Sequence, residues 1–398
     1  MLQRMTPLLL LAFVAMVFLA VFSGCASPSD QPAVVTITRA EEWAEDYPNQ
    51  YATYLKNEEM VRTTFGGSEP IDYLEKYPEL LTLYDGMGFS VEYLRARGHV
   101  YALEDVIHTA RSKPGASCMA CKTPDYVALE TEHGTDLYAM DFNEMAVQAH
   151  SGVSCYDCHR NEPGVLQITR GHLEEGLSYL EDEHDMKNLI CAQCHIEYYL
   201  APDTKKVTVP WKHGTGVAGI EETFIEWNHV DWVHPQTGGE LYKVQHPEFE
   251  TYLGSLHNRM NVTCVDCHMP EMTNEAGGNF HSHHWTSPLK YVEASCLGCH
   301  RETGPELIAR VEGLQGTAEE KTVAVSRRLV DLINTIATQK DTLDESTLNQ
   351  VYELHRSAQL RWDFVFVENS EGFHNYSKTM EYLDEADAMT DEAFRLLQ

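Results

Sequence analysis

The sequence predicts a mainly α fold that ends in long helices. Three observations carry that reading. Apolar residues recur at helical spacing through the last quarter of the chain, and no segment shows strong strand alternation. In addition, ten of the eleven cysteines fall in five Cys-x-x-Cys clusters spread from position 118 to 300. Clusters of that kind bind something, and what they hold replaces much of an ordinary core.

The helical pattern begins after Pro305. Leu307, Val311 and Leu314 share one face, and Val325, Leu329, Leu332, Ile333 and Ile336 share another stretch of stripe. A break is expected at residues 341–344. A third run holds Leu348, Val351, Leu354, Ala358 and Trp362. These helices in 301–398 pack on the cysteine-rich part and offer a surface for a homodimer, two uses that the pattern alone does not separate. Residues 48–105 are rich in Tyr, Gly and charge and carry no cluster. The clusters recur irregularly, which excludes a solenoid repeat.

The clusters themselves are more specific. They are Cys118-Met119-Ala120-Cys121-Lys122, Cys155-Tyr156-Asp157-Cys158-His159, Cys191-Ala192-Gln193-Cys194-His195, Cys264-Val265-Asp266-Cys267-His268 and Cys296-Leu297-Gly298-Cys299-His300. Two thiols at this spacing can each add to one vinyl group of a haem, and the next residue then lies beneath the iron as axial ligand. Zinc also takes paired cysteines but needs no His directly after the second one. Four repeats of the full pattern therefore mark c-type haem attachment and a multihaem cytochrome c fold with a haem-packed core. The first cluster ends in Lys. An ammonium has no lone pair, so Lys122 can bind iron only as a neutral amine. The alternative is a disulfide or a decayed site. A different ligand at one haem of five suggests a different task for that haem.

The N-terminus reads as an export signal. Arg4 precedes an unbroken apolar run, Leu8 to Phe22, short for a membrane span. Ser23-Gly24-Cys25 follows, as at a lipoprotein cleavage site, which gives a signal peptide at 1–24 and a lipidated Cys25; an ordinary cleaved signal or an uncleaved anchor are the alternatives. Residues 25–40 read as a tether, with Pro28 and Pro32 among small polar residues. Every one of these readings exports the chain to the periplasm. The formal net charge of -32 argues against a nucleic-acid partner.

One Cys-x-x-Cys-Lys followed by four Cys-x-x-Cys-His resembles the pentahaem cytochrome c nitrite reductases, the ammonia-forming kind. Further segments carry the resemblance: Arg97-Gly98-His99, Cys194-His195-Ile196-Glu197-Tyr198-Tyr199, Asp231-Trp232, Lys243-Val244-Gln245-His246-Pro247-Glu248, Arg361-Trp362-Asp363 and Gly372-Phe373-His374. It covers the chain from about Trp43 to His374 and implies one catalytic domain over 41–398. That family takes nitrite to ammonium with six electrons at a Lys-ligated haem, while four bis-His haems relay electrons. The resemblance makes Lys122 the proximal ligand of the active haem and Arg111, Tyr198 and His246 the catalytic residues on its open face. Arg111 sits twelve positions after His99, and Arg95 and Arg97 are the alternatives.

It further implies proximal ligands His159, His195, His268 and His300. Their distal partners are His283 for the second haem, His99 for the third, His374 for the fourth and His257 for the fifth; His281 and His284 flank His283. A Ca²⁺ ion is implied at Glu197, the Tyr198 and Lys243 carbonyls and Gln245, hard oxygen donors of the kind calcium takes. An ion pair between Glu197 and Lys243 is the structural alternative. The implied electron donor is a membrane-bound multihaem quinol dehydrogenase, and the implied assembly a homodimer. A non-catalytic electron-transfer cytochrome would show the same four His-capped clusters; Lys122, Arg111, Tyr198 and His246 together argue against it. Hydroxylamine-oxidising and tetrathionate-reducing multihaem enzymes carry more than five haems. A lipid-anchored assembly subunit leaves the catalytic group unexplained.

Overall fold

The computed structural model describes residues 35–59, 62–63, 66–67 and 69–398. The signal segment at 1–24, Cys25 and the tether as far as residue 34 lie outside them. Among the described residues no helix is long and apolar enough to cross a membrane.

Short helices and turns carry the chain as far as Ser295. Two of them matter below. Helix α1 (Met186–Ala192) starts where the Asp185 side chain accepts from the Lys187 N–H at 2.8 Å. Helix α2 (Val217–Glu226) buries Val217, Ile220 and Phe224. Among the described residues, eight strands of two or three residues pair as four antiparallel ribbons. These are β1 (Arg62–Thr63) with β2 (Gly66–Gly67), β3 (Tyr199–Leu200) with β4 (Val207–Thr208), β5 (Trp232–Val233) with β6 (Glu240–Leu241), and β7 (Glu271–Thr273) with β8 (Asn279–His281). Strands this short leave no alternation to read in a sequence.

The C-terminal part is three helices. Helix α3 (Gly304–Gln339) opens with a capping box between Thr303 and Glu306 and with Pro305 in its first turn. The two apolar runs seen in the sequence belong to this one helix. Ala318 and Thr322 continue the buried stripe between them, side chains too small to register as apolar anchors. A 3₁₀ turn at Lys340–Thr342 makes the expected break, and Asp344 then caps α4 (Glu345–Phe366) by accepting from the Ser346 and Thr347 N–H groups. Helix α5 (Tyr376–Leu396) lies within the 301–398 stretch read as long helices, but no apolar run marked it. Its buried face mixes Tyr382 and Leu383 with Ala386, Thr390 and Ala393, which blurs the period.

These helices close the larger apolar cluster, in which Leu329, Ile333, Trp362, Phe364 and Leu383 meet Leu80, Tyr84, Trp211, Ile220 and Phe224. Each such side chain contributes about 1.5–3 kcal/mol by leaving water. Trp362 stacks on Phe366 at 4.9 Å, and its N–H donates to the Thr322 carbonyl at 3.0 Å. Arg361 ties α4 to Glu385 on α5 and to Glu221 on α2, both at 2.7 Å. Beside the haem-packed core of the sequence reading, the chain builds an apolar core of its own. This larger cluster contains no motif cysteine, and the motif-free segment before Asp105 contributes Leu80, Leu83 and Tyr84 to it. A second cluster of Ala116, Met119, Ala120, Tyr126, Leu137 and Phe142 surrounds Cys118 and Cys121.

His355 on α4 is fully buried, 6.4 Å from the His234 ring. Burial drives it down to about 3, and His234 pushes the same way against a contact with Gln359. An unfolded histidine charges near pH ~6.5. Below that the unfolded chain takes up a proton that the folded chain refuses. Stability is then whole above pH ~6.5 and falls with pH through the window, by up to ~1.4 kcal/mol per unit. Acid unfolding of His355→Gln, followed by circular dichroism, should be shallower between about pH 6 and 4 than that of the parent.

Candidate active site

A haem-attachment cluster is one helical turn, and one turn puts residues i, i+3 and i+4 on the same side. In three of the His-ended clusters the ligand N–H closes the α-type bond to the first cysteine: His159 to Cys155 at 3.0 Å, His195 to Cys191 at 2.9 Å and His300 to Cys296 at 3.0 Å. The fourth lies within the helix Cys264–His268, capped by Thr263 and Asp266. The Lys-ended cluster is wound more tightly. It follows a 3₁₀ segment, Ala116–Met119, and the Lys122 N–H bonds to Met119, three residues back, at 2.9 Å.

Four pairs of imidazoles face one another. Ring centres lie 6.3 Å apart for His159 and His283, 5.8 Å for His195 and His99, 6.2 Å for His268 and His374, and 6.3 Å for His300 and His257. Two imidazoles bound through one nitrogen each to opposite faces of a single metal, at about 2 Å per bond, put their ring centres roughly 6 Å apart. All eight rings are half-buried. Histidine must be neutral at the ligating nitrogen, and burial holds His99 (about 3), His268 and His283 (both about 4), His159 and His257 below the ordinary value. The other ring nitrogen is occupied in several cases. Nδ1 of His159 contacts the Val165 carbonyl, that of His268 the Thr286 carbonyl and that of His283 the His281 carbonyl, each at 3.0 Å. This leaves Nε2 for a metal. His281 and His284 also use Nδ1, on the Met269 carbonyl and the Tyr291 hydroxyl, both at 2.8 Å, but it is the His283 ring that stands opposite His159.

Three rings have a carboxylate near Nδ1. The most distant is Glu302, 3.7 Å from His300, and the other two are closer. His374 Nδ1 lies 2.6 Å from Glu368 and His195 Nδ1 lies 3.3 Å from Glu248. Burial opposes charge on both, yet the carboxylates win: His374 is raised to about 9, and His195 is raised too. The sequence reading did not single out either glutamate. Glu368 stands six residues before His374, a spacing with no general rule behind it.

Lys122, Arg111, Tyr198 and His246 are all half-buried. Tyr198 packs on the cluster that contains Cys118 and Cys121. Burial raises its hydroxyl well above the usual range, the neighbouring thiols and Glu197 add to that, and Arg111 opposes it. Burial pushes His246 down to about 4; Glu248 opposes this, while Lys122, His195 and Lys243 reinforce it. The His246 Nδ1 is buried without a hydrogen-bond partner among the described residues. The Arg111 guanidinium lies 4.3 Å over the Phe89 ring, and its Nε donates to Thr109 at 3.3 Å. Among the described residues no carboxylate pairs with it. Arg97, by contrast, binds Asp105 at 2.7 Å and Glu104 at 2.9 Å and stacks on Tyr101. Its charge is spent.

The segment that presents His246 is pinned by three carboxylates. Successive N–H groups donate to Asp231 (Lys243, 2.8 Å), Asp363 (Val244, 2.9 Å) and Glu197 (Gln245, 2.6 Å). The Lys243 amine turns away to Asp363 at 3.0 Å, so the alternative ion pair with Glu197 does not form. Glu197 is fully buried, and its Oε1 has no hydrogen-bond partner among the described residues. The Gln245 side chain reaches the Lys243 carbonyl at 3.3 Å. An unpaired buried carboxylate oxygen beside a carbonyl and an amide fits a hard cation.

A helical chain with five attachment turns and opposed histidine rings defines a multihaem cytochrome of the c type. Residues 39–398 match the Cytochrome c552 family model, and the chain belongs to that family. Cytochrome c-552 of Bacteroides fragilis is 32% identical over 355 residues, 84% of this chain and 72% of that one. The cytochrome c nitrite reductase subunit NrfA of Nitratidesulfovibrio vulgaris is 32% identical over 447 aligned positions, 97% of this chain and 85% of that one. The solved catalytic subunit (NrfA) of the nitrite reductase of Desulfovibrio desulfuricans, described with two calcium sites, is 27% identical. It superposes with a TM-score of 0.82 over 93% of this chain and 87% of its own.

A carboxylate on Nδ1 makes the ring a stronger donor to iron and favours the oxidised metal. Glu368→Gln should therefore raise the reduction potential of the haem attached at Cys264 and Cys267 and leave the other haems unmoved, as read by protein-film voltammetry with optical titration.

Proposed function

We propose that this chain is the catalytic subunit of an ammonia-forming cytochrome c nitrite reductase, with five covalently attached c-type haems and a Ca²⁺ ion. The observation that carries this reading is the Lys-ended cluster, near an arginine, Arg111, that no carboxylate pairs with among the described residues, in a chain aligned almost end to end with an NrfA subunit. Lys122 would hold the first haem. His159 with His283, His195 with His99, His268 with His374 and His300 with His257 would hold the remaining four, and two ring ligands each would suit those to electron transfer. Bound at Lys122, the first haem would supply the redox chemistry for reducing nitrite by six electrons.

The chain supplies the rest. Arg111, which no carboxylate pairs with among the described residues, offers its fork to a nitrite oxygen as negative charge builds there. His246 is neutral near pH 7 because burial disfavours its cation; an anion arriving beside it favours the protonated form, so substrate binding itself loads the proton. Tyr198 is held protonated at rest by burial and donates a hydrogen bond or a proton. Glu197, the Tyr198 and Lys243 carbonyls and Gln245 hold Ca²⁺, which fixes the two chain segments that carry Tyr198 and His246. Electrons come from a membrane-bound multihaem quinol dehydrogenase. The mature chain is periplasmic, lipidated at Cys25 and homodimeric through its C-terminal helices.

Purified protein given reduced viologen and nitrite should form ammonium with about six electrons per nitrite, measured by dye oxidation against ammonium yield. An electron-transfer cytochrome forms none. Arg111→Ala should lower kcat/KM for nitrite about 10- to 100-fold, the scale of one lost charged hydrogen bond, without loss of haem.

A further inference from the structure

We propose that Arg170 is a positioning residue for Lys122, and that it locks the lysine-bearing turn to the attachment turns of the second and third haems. The inference rests on Lys122 being the ligand of the first haem.

Arg170 is 1% exposed. Its guanidinium donates to the Ala120 carbonyl at 2.5 Å, the Thr123 carbonyl at 2.9 Å, the Thr169 hydroxyl at 2.7 Å and Asp157 at 2.5 Å. Ala120 and Thr123 bracket Cys121 and Lys122. A 3₁₀-wound turn that soon ends leaves its last carbonyls without helical partners, and here one planar fork takes two of them.

The other end of the fork is anchored in two more attachment turns. Asp157 stands between Cys155 and Cys158, and its second carboxylate oxygen accepts the Ser154 N–H at 2.7 Å. Its carbonyl accepts from Gln193 at 2.7 Å, and Gln193 stands between Cys191 and Cys194. Gln193 also accepts the Thr169 N–H at 2.9 Å, and its own carbonyl meets His172 at 2.8 Å. Arg170 and Asp157 are thus a buried ion pair with nearly every donor and acceptor used. Such a pair specifies geometry more than it adds stability, and removing one partner leaves the other charge stranded. What it specifies is the placement of a side chain with four rotatable bonds, whose amine has no hydrogen bond or ion pair of its own among the described residues.

The test uses the purified five-haem protein with Arg170→Lys and Arg170→Met, each alone and combined with Lys122→His. Haem content is counted by pyridine haemochrome, the ligand field of the first haem is read by EPR and magnetic circular dichroism, and kcat and KM are measured separately. Both Arg170 variants should keep five haems and four unchanged low-spin signals. The first-haem signal should shift, and kcat should fall by about tenfold or more with little change in KM, Lys less severely than Met. In the Lys122→His background either Arg170 substitution should add little, the coupling expected of residues that act as a unit. An unmoved first-haem signal, or an equal loss of kcat in both backgrounds, overturns the proposal. Should Arg170→Met fail to mature, Asp157→Asn loosens the same anchor and is judged on the same outcomes. If Lys122→His itself leaves the first-haem spectrum unchanged, the ligand assignment fails, and the proposal falls with it.

Discussion

Histidine rings standing face to face at 5.8 to 6.3 Å, with no hydrogen bond between the members of a pair, are the constraint on which the rest of this structure depends. Burying imidazoles in opposition is costly, because burial and each neighbour's charge disfavour the cation. A metal shared between the two rings repays that cost. Each pair joins an attachment turn to a distant part of the chain. His99 meets His195, and His374 meets His268, so a haem held at either pair would join segments far apart in sequence. This explains why the larger apolar cluster can lie under the C-terminal helices and contain no motif cysteine.

The first cluster breaks the pattern twice. It ends in lysine where the others end in histidine, and its turn is wound as 3₁₀ helix. Near it stands a group suited to an anion that needs protons. Arg111 lies on an aromatic face with no carboxylate to spend its charge on, His246 is buried neutral, and Tyr198 is held firmly protonated. Three consecutive N–H groups bound to three different carboxylates fix the approach to His246. One of those carboxylates, Glu197, keeps an unpartnered oxygen for a cation. Rigidity around the site is thus built from charge, since the fold there offers only ribbons of two residues.

Some of this was legible in the sequence for a chemical reason. Covalent attachment at two vinyl groups dictates the Cys-x-x-Cys spacing and the ligand that follows, so the five clusters announce themselves. The distal histidines do not, because no local spacing relates His283 to His159; only the family resemblance named them, and in the fold those same rings stand opposed. No apolar run marked helix α5, because small and polar side chains line much of its buried face. Arg170, Asp157 and Gln193 escaped notice for another reason. Their meaning lies in which carbonyls they reach across the fold, and a buried arginine looks like any other until its partners are known. The turn from Lys243 to the Asp363 side chain was likewise invisible, although both residues stood in segments already marked.

The most direct test is a nitrite titration of the resting, oxidised protein, followed by parallel- and perpendicular-mode EPR together with optical absorbance. One iron in five should change its signal, saturating at one nitrite per chain, while four low-spin signals stay fixed. A protein in which no haem responds, or in which the response survives unaltered when Lys122 is replaced by histidine, contradicts an open coordination position opposite that amine.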